Sequence, residues 1–148
     1  PDAEKFSSQL PMMTVLGIRD IPVRGLKAFG NPHGAHSFVD MDHVVDLVYA
    51  SAVPYGAYDN SRSEKVRRVV QMSLYGQYVA SLRLALQVGP CDVFLMPLGG
   101  GVFKCLPEDI KSAMISAVDT LRDELNKNKV NVHVLTWKGN PQEASIYV

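Results

Sequence analysis

The chain has 148 residues, 47% of them hydrophobic and 20% charged, with 15 basic and 15 acidic side chains and a formal net charge of zero. That size fits one domain with a real apolar core. The balanced charge gives no sign of broad electrostatic attraction to nucleic acid or to an anionic membrane surface, though a sum leaves a local basic patch open, and no apolar run reaches the length of a membrane span. Neither class of partner is therefore expected. Cys91 and Cys105 follow no metal-ligand spacing and are too few for a disulfide framework. They read as free thiols of a reducing compartment, and no metal or cofactor is expected. The polar start, Pro1-Asp-Ala-Glu-Lys5, lacks a signal-peptide core. A cytoplasmic or nuclear location is the resulting expectation.

In chain order, residues 1–42 carry the weakest signals. Met12-Met-Thr-Val-Leu-Gly-Ile18 is a candidate strand, and Asn31-Pro-His-Gly-Ala-His36 a candidate loop. Residues 43–53 are rich in β-branched and aromatic side chains and predict a buried strand ended by Pro54 and Gly56. Pro54–Ser61 reads as a loop. Ser63 and Glu64 then supply a helix start. Val66, Val70, Leu74, Tyr78, Leu82 and Leu86 recur every four residues, which predicts a long amphipathic helix stopped by Gly89-Pro90. Val93-Phe-Leu-Met-Pro97 reads as a short strand with Pro97 at its end. Pro107, Glu108 and Asp109 suit the first turn of another helix, with Ile110, Ala113, Met114, Ala117, Val118, Leu121 and Leu125 as its apolar stripe. Val130–Trp137 is the last strand. Strands alternating with helices predict an α/β domain with a mixed, largely parallel sheet covered on both faces.

The triplet Gly99-Gly100-Gly101 lies between the strand ending at Pro97 and the helix beginning at Pro107. Ligands of open α/β sheets sit beyond the carboxyl ends of the strands. Glycines there let backbone N–H groups approach an anion, and the following helix N-terminus favours negative charge. The segment Gly99-Gly100-Gly101-Val102-Phe103 is therefore expected to bind a phosphate-bearing ligand. Neither G-x-x-x-x-G-K-[S/T] nor G-x-G-x-x-G is present, so the P-loop and the dinucleotide fingerprint are excluded.

Residues Gln71–Leu86 and Val93–Phe103, a long helix followed by a strand and a glycine loop, resemble the second half of a macrodomain, the ADP-ribose-binding module. The Gly-Gly-Gly-Val-Phe variant looks closest to the divergent macrodomains of the poly(ADP-ribose)-glycohydrolase-like and bacterial-effector kinds. The resemblance covers about half the chain. It implies a single three-layer α/β/α sandwich over residues 1–148, and ADP-ribose or an ADP-ribosylated protein as partner. Two departures stand out. Lys104 replaces the family's last loop glycine. Tyr49–Asn60 replaces its Asn-Ala-Ala-Asn strand end, and the glycohydrolases' Gln-Glu-Glu signature is missing.

Under this resemblance the Gly99–Phe103 backbone cradles the diphosphate. Ser51, Ala52, Val53, Tyr55 and Gly56 enclose the distal ribose, and Asp20 and Trp137 flank adenine. Asp59 and Asn60 are the candidate catalytic residues, placed to activate water or contact ribose. Asp20 reads equally as a surface carboxylate before Pro22, and Trp137 equally as a core residue. Asp40, Asp42, His43 and Asp46 read as solvated loop residues rather than a metal site. Three functions remain open at this point: a non-cleaving ADP-ribose reader, a hydrolase of ADP-ribosyl linkages, and a structural or interaction domain without the ligand.

Overall fold

The computed structural model describes residues 15–28, 36–56 and 63–135. They form a mixed α/β structure with elements in the order β1 (Leu16–Ala28), β2 (His36–Tyr49), α1 (Glu64–Val88), β3 (Cys91–Leu95), α2 (Pro107–Lys127) and β4 (Val130–Val134). The chain divides into two compact units, one being Leu16–Tyr49 and the other holding Ala50 onward. No described helix is long and apolar enough to cross a membrane.

The first unit is an antiparallel hairpin in which β1 pairs β2 from Leu16↔Tyr49 to Ala28↔His36. Its register shifts between Ile18 and Ile21 and between Pro22 and Arg24. Pro22 cannot donate a ladder bond, so a place beside such an irregularity suits it. The expected buried strand over residues 43–53 is corrected here. The strand ends at Tyr49, pairs antiparallel, and leaves Val44, Val45, Leu47, Val48 and Tyr49 all exposed. Apolar β-branched runs signal a strand, but they do not say whether its faces are covered.

The second unit carries the helices. Ser63 caps α1, its Oγ accepting the Val66 N–H at 3.3 Å, with Glu64 in the first turn. Gly89 ends α1 at φ 99°, a conformation glycine adopts freely. Val70, Leu74, Tyr78, Leu82 and Ala85 are buried along one face of α1, as the four-residue spacing predicts. A stripe that the spacing did not predict, Ser73, Gln77 and Ser81, is buried beside them. Ser81 Oγ donates to the Gln77 carbonyl at 2.8 Å.

Helix α2 starts with Pro107, which has no N–H to leave unsatisfied, followed by Glu108 and Asp109. It buries Ile110, Ala113, Met114, Ala117, Leu121 and Leu125. Asn128 Nδ2 donates to the Glu124 carbonyl at 2.8 Å as the helix ends, and Lys129 turns the chain at φ 56°. That turn delivers β4 parallel to β3, with Cys91↔Val130 through Leu95↔Val134 in register. Leu95 and Val130 are buried in the core, with Cys91, Val93, Val132 and Val134 half-buried and packed against it. Asp92, Phe94, Asn131 and His133 alternate with them and are exposed.

Candidate functional site

The glycine loop begins where β3 ends. Tyr78, buried on α1, fixes that point through its phenol, which donates to the Met96 carbonyl and accepts the Leu98 N–H, both at 2.9 Å. The phenol thus supplies the bonds that a neighbouring strand would have made across the bend at Pro97.

The loop then closes on itself. Gly100 N–H donates to the Pro97 carbonyl at 3.3 Å, Lys104 N–H to Gly101 at 3.2 Å, and Cys105 N–H to Gly99 at 3.0 Å. Gly99 has φ 74° and sits in a packed junction. A Cβ on it would lie 2.5 Å from Cys105 Sγ and 2.7 Å from Ala52 Cβ. At Gly101 such an atom would meet nothing within 4 Å. The three glycines therefore differ: the first is demanded by packing and the third faces open space. Gly101 and Val102 are both exposed, Val102 at 70%, and among the described residues their N–H groups meet no acceptor.

The loop is tied to Ser51–Gly56, the segment the macrodomain resemblance assigns to the ribose. Tyr55 N–H donates to the Phe103 carbonyl at 2.7 Å, and Cys105 Sγ donates to the Val53 carbonyl at 3.4 Å. Ala52 and Tyr55 are buried in the core, and Val53 and Phe103 pack against it. Ser51 is exposed, and its hydroxyl donates to the Ala52 carbonyl at 3.4 Å. Gly56 turns the chain at φ 84°. Burial pushes the Cys105 thiol up, and the charge of Asp109 adds to the effect. Cys105 is a hydrogen-bonded core thiol rather than a nucleophile. Neither it nor Cys91 is joined in a disulfide.

Asp20 belongs to the hairpin unit, at the β1 irregularity with φ 57°. Its N–H donates to Asp46 Oδ1 at 2.9 Å, and Arg19 Nε lies 3.6 Å from Asp46 Oδ2. Asp59, Asn60 and Trp137 lie outside the described residues. No group of three or more metal-ligating side chains occurs among the described residues.

Sequence reasoning missed a second polar centre. Asp109, 3% exposed in the first turn of α2, receives Arg67 Nε and Nη2 at 2.8 Å each and Gln71 Nε2 at 2.7 Å. Burial raises the Asp109 carboxyl, but the Arg67 and Gln71 hydrogen bonds and the Arg67 charge outweigh it and hold the group below the usual carboxylate range. The spacing of Arg67 and Gln71, four apart on α1, was the available signal. Beside them an open groove of about 330 Å³ is lined by Gln71, Met72, Tyr75, Asp109, Ser112, Ala113 and Ser116. None of these belongs to the glycine loop.

On the outer face of β3 and β4, His133 Nε2 pairs with Asp92 Oδ1 at 2.9 Å, and Asn131 Nδ2 donates to the same oxygen at 3.1 Å. The His133 hydrogen bond, then that of Asn131, holds the Asp92 carboxyl below its usual range. The Phe94 and His133 rings stack with centroids 5.0 Å apart.

Comparison of the chain with protein-family models and with curated proteins finds no match.

Proposed function

We propose that the chain is a macrodomain-like α/β/α domain that binds ADP-ribose or a related nucleotide diphosphate through the Gly99–Phe103 backbone. One observation carries the reading. Two segments far apart in sequence, both assigned to the ligand under the macrodomain resemblance and the glycine loop also by its own chemistry, are joined by the 2.7 Å bond from Tyr55 N–H to the Phe103 carbonyl. The N–H groups of the exposed residues Gly101 and Val102, which meet no acceptor among the described residues, and the α2 N-terminus beyond Lys104 give the same region its preference for negative charge. Phosphate would sit over the middle of the loop, and the distal ribose against Ser51–Gly56. Hydrolysis of an ADP-ribosyl linkage would fall to Asp59 and Asn60.

Calorimetric titration with ADP-ribose tests the binding, and Gly101→Ala tests the location. Binding by the natural chain that Gly101→Ala weakens supports the reading, and unchanged binding by that variant removes the loop from it. Release of ADP-ribose from a mono-ADP-ribosylated protein, lost in Asp59→Ala, separates a hydrolase from a reader. A second reading is a structural or interaction domain that takes no ligand. It is favoured by the inward hydrogen bonds of Gly100, Lys104 and Cys105, which leave fewer amides for an anion. Absence of heat and of a thermal shift at millimolar ADP-ribose would leave that reading alone.

A further inference from the structure

Cross-strand pairing sorts the side chains of the hairpin into two unlike faces. Leu16, Ile18 and Ile21 on β1 pair with Tyr49, Leu47 and Val45 on β2. Paired residues share a face, and successive residues of a strand point to opposite ones. The irregularity between Ile18 and Ile21 inserts one extra residue on β1 and so returns Ile21 to the face of Ile18. These six residues therefore form one face without a charge on it. The opposite face is interrupted at Asp46, which accepts the Asp20 N–H at 2.9 Å and lies 3.6 Å from Arg19 Nε. On the uncharged face Leu16, Ile18, Val45, Leu47 and Tyr49 are 40–59% exposed, and Ile21 is half-buried. Together they leave an apolar patch of about 500 Å², the size of the largest patch on an ordinary monomer and one that marks an interaction site. A two-stranded hairpin also needs packing on its apolar face to be stable in water.

We propose that this face is a dimer interface, in which two copies of the chain pack hairpin on hairpin about a twofold axis. The surface belongs to the hairpin unit and does not depend on the ligand assigned to the glycine loop. Three features fit a second copy. The patch presents no charge for a partner of opposite sign to read, and the chain as a whole has a formal net charge of zero, so its copies do not repel one another. Two patches face to face bury about 1,000 Å², which reaches the lower range of specific interfaces. A twofold axis at the central Ile18–Leu47 pair sets the larger Leu16–Tyr49 pair of one copy over the smaller Ile21–Val45 pair of the other.

The test is sedimentation equilibrium of the natural chain, Leu47→Lys and Val48→Lys, from micromolar to millimolar protein, with thermal unfolding of each. The natural chain should pass from monomer to dimer across that range. Leu47→Lys should weaken the dimer about a hundredfold, because symmetry places the change twice and each buried lysine costs about tenfold. Val48→Lys adds the same charge one residue along, on the opposite face, and should change the dimer less than about threefold. A natural chain that stays monomeric throughout assigns the face to a partner other than a second copy and overturns the inference. A dimer that survives Leu47→Lys, or that both variants weaken equally, overturns it too. If Leu47→Lys does not fold, isotope-filtered NMR on mixed labelled and unlabelled natural chain decides: contacts between copies at the Ile18 and Leu47 methyl groups support the interface, and their absence in the dimer removes it.

Discussion

Replacing Gly99 with alanine adds one methyl group at the most crowded point of the loop. Two costs follow. The backbone there has φ 74°, which an L residue adopts at about 1–2 kcal/mol. The added Cβ would also lie 2.5 Å from Cys105 Sγ and 2.7 Å from Ala52 Cβ. Neither atom ends a long side chain that could swing aside, so the segment carrying Ala52 or that carrying Cys105 must move. Overpacking of this kind costs about 1–3 kcal/mol. Gly99→Ala should therefore destabilise the protein by about 2–5 kcal/mol, lowering Tm by roughly 4–20 °C. Gly101→Ala is the control. Its Cβ would meet nothing within 4 Å and its φ is not positive, so stability should stay within about 0.5 kcal/mol of the natural chain. Urea unfolding of both variants, followed by circular dichroism, gives the comparison. Equal stability of the two would refute the view that the first glycine is structural and the third is exposed.

Tyr78→Phe keeps the buried ring but strips the Met96 carbonyl and the Leu98 N–H of their partner. The expected cost is about 1–3 kcal/mol in the same unfolding assay, read as a lower midpoint at unchanged slope. Arg67→Ala should destabilise more than Asp109→Asn, because it leaves a buried carboxylate with Gln71 as its remaining partner, whereas Arg67 itself is half-exposed and can be hydrated. The Asp109 carboxyl is depressed in the fold, so its contribution to stability is present above the unfolded value of about 3.9 and lost as pH falls through the folded one. Acid unfolding of the natural chain should therefore lose a contribution below about pH 4 that Asp109→Asn does not have to lose. His133→Ala should let the Asp92 carboxyl rise toward its ordinary value, seen by NMR titration, because the largest influence holding it down is the His133 hydrogen bond.

The two helices were legible because each satisfied several independent rules at once. Ser63 and Glu64 mark one start, Pro107 with two acids the other, and four-residue apolar spacing runs through both. The strands were legible as strands but not in their pairing. Residues 44–49 are an apolar run interrupted only by Asp46, and that pattern suits either a buried parallel strand or a hairpin. Only the partner decides, and β1 carried too weak a signal to be recognised as one. Helical spacing also gave no warning of Ser73, Gln77 and Ser81, since polar side chains are assigned to water unless something covers them. At the site, the position of the loop was legible from Pro97 and Pro107. The division of labour among its glycines was not, because it depends on Ala52 and Cys105 approaching from elsewhere in the chain.

That division narrows what the loop can do with an anion. A run of glycines suggests that every amide in it is on offer, but the turn has to be held in shape by some of them. Gly100, Lys104 and Cys105 spend their N–H groups on the carbonyls of Pro97, Gly101 and Gly99. Those bonds draw the loop tight enough for Gly99 to lie against Ala52 and for Phe103 to accept from Tyr55. Gly101 and Val102, both exposed residues, have N–H groups that meet no acceptor among the described residues. A phosphate bound there would be held by donors already fixed in place, without the entropy of ordering a flexible turn. If Gly99→Ala loosens that frame, affinity should fall in a variant whose added methyl group never touches the ligand. The same loss in Gly101→Ala would come from direct obstruction, with stability intact. A ligand that ignored both changes would have to bind elsewhere in the molecule.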